Sequence, residues 1–84
     1  MTATVQKPLN ILLLGGTSEA ALLAKRLADA RGIAATLSLA GRTANAAPSA
    51  LSVRVGGFGG AEGLADYLRR EAVDFVIDAT HPFA

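Results

Sequence analysis

The chain has 84 residues, a formal net charge of +1 and 51% hydrophobic residues, which fits one small folded domain and excludes a disordered chain. Its Lys and Arg are spread along the chain, which argues against a nucleic-acid footprint. The absence of Cys excludes disulfides, thiolate zinc sites and Cys nucleophiles, and the single His excludes a His-rich metal site.

The opening Met1-Thr2-Ala3-Thr4-Val5-Gln6-Lys7-Pro8 has no charged stretch feeding an apolar core, so it does not read as a signal peptide. No apolar run reaches the roughly 18–20 residues of a membrane span, and a soluble cytoplasmic protein is the expectation. Asn10 to Leu14 is a continuous apolar run closed by Gly15-Gly16, the pattern of a strand buried on both faces. Thr17-Ser18-Glu19 then opens a helix. Ala20, Leu23, Ala24, Leu27 and Ala30 fall on one face, Thr17 or Ser18 can cap the start, and Gly32 stops the end. Glu19 in the first turn and Lys25, Arg26 and Arg31 toward the end match the helix dipole.

Ile33 to Ala40 reads as a second strand closed by Gly41-Arg42-Thr43, and Thr43 to Ser49 as a loop. Leu51 to Val55 is a third strand, with Leu51, Val53 and Val55 alternating against Ser52 and Arg54. Gly56-Gly57-Phe58-Gly59-Gly60 is a turn. Ala61 to Ala72 is a second helix, with Ala61, Leu64, Ala65, Leu68 and Ala72 as its buried face. Asp74 to Asp78 is a fourth strand, followed by Ala79-Thr80-His81-Pro82-Phe83-Ala84. Pro82 fits the first position of a further helix.

The order β-α-β-loop-β-α-β predicts an α/β fold, the first half of a Rossmann-like doubly wound parallel sheet of four strands with two helices. The strand order expected of it is 3-2-1-4, with an apolar edge left bare at the fourth strand.

Four segments then carry candidate chemistry. Gly15-Gly16-Thr17-Ser18-Glu19-Ala20 matches the dinucleotide fingerprint at Gly15, Thr17 and Ala20. The middle Gly is missing, but the turn follows a buried strand and opens a helix, where bare amides can hold a pyrophosphate. It is not a phosphate-binding P-loop, because no Gly-Lys-Ser/Thr follows; the bland alternative is an ordinary βα turn. Gly41-Arg42-Thr43 lacks the acid that holds a ribose 2′-hydroxyl. Arg42 and Thr43 suit a 2′-phosphate instead, which favours NADP over NAD; the alternative is a solvated loop Arg. In the third segment, Gly57 and Phe58 sit where backbone can approach a ligand and a ring can stack; a flexible turn explains the glycines equally well. In the fourth, Thr80 and His81 are expected over the crevice near the nicotinamide. His81 is a weak catalytic candidate as proton donor, since a lone loop His is more often a cap or a surface residue.

Taken together, Ile11 to Glu19, Ser38 to Thr43, Arg54 to Gly60 and Asp78 to Ala84 resemble the N-terminal part of the precorrin-6A reductases of cobalamin (vitamin B12) biosynthesis. The resemblance implies an NADPH-dependent reductase that converts a precorrin-6A-type tetrapyrrole, or its cobalt analogue, to the precorrin-6B level. It implies that residues 1–84 form an N-terminal NADP-binding domain, a fragment without the second domain and inactive by itself; the spread of charge and the lack of a long apolar run add the expectation of no nucleic acid and no membrane as partners. Gly15, Gly16, Thr17, Ser18 and Glu19 would hold the cofactor phosphates, and Gly41, Arg42 and Thr43 the adenosine phosphate side. Thr80 and His81 would border nicotinamide and substrate, with Gly57 and Phe58 also near the substrate. Two other readings stay open. One is another Rossmann-type NADP or sugar-nucleotide enzyme, which a downstream Tyr-x-x-x-Lys would mark; the other is a non-enzymatic nucleotide-binding module.

Overall fold

A computed structural model describes residues 7–41 and 51–80. Its elements in chain order are β1 (Leu9–Leu14), α1 (Ser18–Asp29), β2 (Ile33–Leu39), β3 (Ser52–Val55), α2 (Gly60–Arg70) and β4 (Phe75–Asp78). The expected loop over 43–49 and Pro82, which fits the first position of a further helix, fall outside the described residues.

The strands form one sheet in the order β3-β2-β1-β4, and every pair is parallel, as the alternation of strands and helices requires. Leu13 stands opposite both Leu37 and Ile77, and Leu37 opposite Val53, so these residues share a face. Helix α1 covers that face. Ala20, Ala24 and Leu27 are its buried residues, and Ala24 and Leu27 join Ile11, Leu13, Leu37 and Leu39 in one cluster. Small Ala side chains let the helix lie close to the sheet, and Leu13 is wholly buried beneath it.

The other face carries Leu12, also fully buried, and a rung of Asp78, Leu14, Ser38 and Arg54 running across all four strands. Helix α2 belongs to this face, since its Tyr67 ring lies over the Arg54 guanidinium at 5.2 Å. The two helices thus sit on opposite sides of the sheet.

Three expectations change. The face predicted for α2 is only partly covered: Leu64, Ala65 and Leu68 are half-buried, while Ala61 and Ala72 are exposed. The helix also ends at Arg70 rather than Ala72, and Ala72 takes a left-handed φ of 52° that a continuing helix cannot use. On β3, Val53 and Val55 point to the α1 side as the alternation implies, yet remain 45% and 53% exposed, because α1 covers β1 and β2 and does not reach β3. The remaining element ends move by one residue.

At the end of the sheet away from the strand C-termini, Asn10 ties α2 to the strands. Its side-chain amide donates to the carbonyls of Glu71 at 2.6 Å and Ala72 at 3.3 Å. Its backbone amide donates to Asp74 Oδ2 at 2.8 Å, and the Asp74 amide returns a bond to the Asn10 carbonyl at 2.7 Å. Among the described residues, no helix is long and apolar enough to cross a membrane.

Candidate functional site

The C-terminal ends of the strands are drawn together by a chain of backbone bonds. Gly15 donates to Ser38, Gly56 to Leu39 and Ala79 to Leu14, at 2.8–2.9 Å. Above this edge lies a cleft of about 160 Å³ lined by Leu14, Gly15, Ser38, Ala40, Gly56, Gly57, Phe58 and Thr80. It therefore collects residues from the ends of all four strands, the position where open parallel sheets bind ligands.

The turn from β1 to α1 forms one lip. Thr17 is the N-cap: its hydroxyl accepts the Ala20 amide at 3.1 Å and donates to the Ala79 carbonyl at 2.7 Å, so one side chain starts the helix and anchors the exit of β4. Gly15 leaves room for Leu37, whose Cδ1 would lie 2.5 Å from any Cβ placed there. Gly16 takes φ 120°, and nothing lies within 4 Å of where its Cβ would be. Among the described residues, no acceptor takes the amides of residues 16–19. Four bare N–H groups beside an open glycine, at the positive end of a 12-residue helix, suit an anionic ligand. Ser18 and Glu19 are exposed, so Glu19 would serve through its amide and not its carboxylate.

Beyond β4, the Thr80 hydroxyl and amide both donate to Asp78 Oδ1, at 2.5 and 3.0 Å. The hydroxyl bond is the larger influence holding the Asp78 carboxyl below its usual value near 3.8, with the amide bond adding to it. Thr80 itself lines the cleft.

Gly57 and Phe58 line the same cleft from the β3 side. Gly41, exposed, directly follows β2 and Ala40. Arg42, Thr43 and His81, all expected at the site, lie outside the described residues. Among the described residues, no group of three or more His, Cys, Asp or Glu gathers as metal ligands do.

Reading the sequence alone misses Arg54. Its guanidinium donates to Ser38 Oγ at 2.7 Å and to the carbonyls of Gly56 and Gly57 at 2.9 and 3.2 Å, and it lies 3.9 Å from the centre of the Phe58 ring. The available signals were its place opposite the apolar residues of β3, two positions before the glycine run, and its position at the head of the segment Arg54 to Gly60 that carries the resemblance.

Residues 10–84 match the family described as precorrin-6x reductase CbiJ/CobK. The chain is 51% identical over 83 residues to the precorrin-6A reductase of a Sinorhizobium species and 60% identical over 74 residues to that of Rhodobacter capsulatus. These alignments cover 99% and 88% of this chain but 31% and 29% of the relatives, so the chain spans about a third of the curated relatives it matches. Among solved structures it resembles a CobK precorrin-6A reductase with a TM-score of 0.81 at 58% identity, covering 88% of this chain and 29% of that one.

Proposed function

The chain belongs to the precorrin-6x reductase family, and from that premise we propose that it is the cofactor-binding part of an NADPH-dependent reductase acting on a precorrin-6A-type tetrapyrrole. The observation that carries the cofactor reading is the turn at Gly16, where nothing lies within 4 Å of the space a Cβ would fill and, among the described residues, no acceptor takes the amides of residues 16–19. Those amides would take the diphosphate, while Gly15 lets β1 and α1 pack closely behind it.

Gly41 leads from the end of β2 into Arg42 and Thr43, whose guanidinium and hydroxyl would hold the 2′-phosphate. At the opposite end of the cleft, Thr80 and His81 would border the nicotinamide and the macrocycle, His81 being the titratable candidate for protonating the product. Bound there, NADPH supplies the hydride that reduces a double bond of the macrocycle to the precorrin-6B level. The protein's own task is to hold the two reacting partners in register and keep water away.

Titrating the intact protein with NADPH and with NADH, followed by coenzyme fluorescence, tests the reading. Arg42→Ala should weaken NADPH by roughly 1.5–3 kcal/mol and leave NADH nearly unchanged. Equal loss for both removes the 2′-phosphate role. An intact protein that binds neither removes the cofactor reading.

A further inference from the structure

The loop of residues 56–60 forms one wall of the cleft, yet Phe58 is its only side chain beyond hydrogen. Three of its glycines, Gly56, Gly59 and Gly60, have positive φ. Such a backbone has many alternatives and does not hold one shape unaided. Arg54 supplies the constraint. Its two terminal nitrogens reach three acceptors, Ser38 Oγ and the carbonyls of Gly56 and Gly57, and its flat face lies 3.9 Å from the centre of Phe58. Tyr67 of α2 closes the stack, edge to face with Phe58 at 5.1 Å. Ser38, Gly56, Gly57 and Phe58 all line the cleft. Among the described residues no carboxylate pairs with Arg54, so nothing draws the guanidinium away from these partners.

The wall lies at one end of the site. Asp78, Leu14, Ser38 and Arg54 occupy one rung across the sheet, which puts Arg54 three strand spacings, about 14 Å, from Asp78. The Arg54 end adjoins the exit of β2, where Ala40 lines the cleft; the Asp78 end carries Thr80.

We infer that Arg54 is a positioning residue for the adenosine half of the dinucleotide, acting through Gly56, Gly57 and Phe58. This rests on the cofactor reading above and moves Gly57 and Phe58 from the neighbourhood of the substrate to that of the adenine. A planar fork that bonds several acceptors while stacking on a ring is a property of Arg that Lys lacks.

The test uses the intact protein and three probes: NADPH, adenosine 2′,5′-bisphosphate and reduced nicotinamide mononucleotide. Arg54→Ala should weaken NADPH and the bisphosphate by the same factor, about tenfold or more, and leave the mononucleotide within about twofold. Arg54→Lys, which keeps the charge without the fork, should recover only part of that loss. Thermal unfolding of each variant identifies those that are folded at the assay temperature. An equal fall for all three probes, unchanged binding in Arg54→Ala, or complete recovery by Lys overturns the inference. If the unmutated protein binds none of the probes, the cofactor reading itself falls and takes the inference with it.

Discussion

At Gly16 the backbone takes φ 120°, a conformation that a side chain resists, in a place where a Cβ would meet nothing. The residue is thus fixed by its backbone conformation, not by packing. Gly16→Val should strain the turn by about 1–3 kcal/mol and put two methyl groups where a phosphate would come. NADPH affinity in a fluorescence titration should then fall at least about tenfold, and retained affinity would locate the phosphates elsewhere.

Asp78 makes a second prediction at this scale. Its pKa is lowered in the fold by the Thr80 hydroxyl and amide, so near the ordinary value of 3.8 the unfolded chain binds the proton more readily. The resulting stabilisation is complete above that value and is lost as pH falls through the lower folded value. Urea midpoints at about pH 3 and about pH 6 should therefore differ less for Asp78→Asn than for the unmutated chain. An unaltered difference would show that the Thr80 bonds do not persist in solution.

The two helices pack by different means. In α1, Ala20 and Ala24 lie flat on the sheet and are buried, and the 3.6-residue spacing of small apolar residues announces this. In α2 the same spacing is present, but no residue is fully buried, and contact with the sheet face runs through Arg54, Phe58 and Tyr67. Periodicity marks which face turns inward; it does not tell how far away the sheet lies. Gly63 shows a tight point that no spacing rule marks: a Cβ there would collide with the Phe58 carbonyl. Gly63→Ala should destabilise the fold by about 1–3 kcal/mol, since backbone must move to admit the methyl group. Denaturant unfolding measures it, and a change under about 0.5 kcal/mol would mean that the first turn of α2 sits further from Phe58.

On the scale of the whole sheet, apolar side chains of the described residues are exposed at both flanks, Val53 and Val55 on β3 and Phe75 and Val76 on β4. Among the described residues β4 pairs only with β1, and its Phe75 and Val76, on opposite faces, are 58% and 42% exposed. An edge strand that is apolar on both faces invites pairing. The 84-residue chain alone should therefore self-associate in sedimentation at rising concentration, and Phe75→Lys with Val76→Lys should suppress this. A chain that sediments as a monomer at every concentration would count against the exposure of that edge. The Asn10 contacts with Glu71, Ala72 and Asp74 close the opposite end of the sheet, joining residues more than 60 positions apart.

The order of elements, the parallel sheet, the strand order and the glycine turn that opens α1 were all legible in the sequence, because each follows from local rules: hydrophobic period, turn chemistry and the fixed hand of crossovers. The same rules marked Thr17 or Ser18 as the cap and Thr80 as a residue at the strand ends. Only the tertiary structure decided that Thr17 also holds the exit of β4, that α2 is half-covered, and that Arg54 clamps the wall of the cleft. Those are contacts between segments distant in the chain, or matters of distance between layers. They depend on how far side chains reach once the sheet has formed, which no pattern along one strand or helix records.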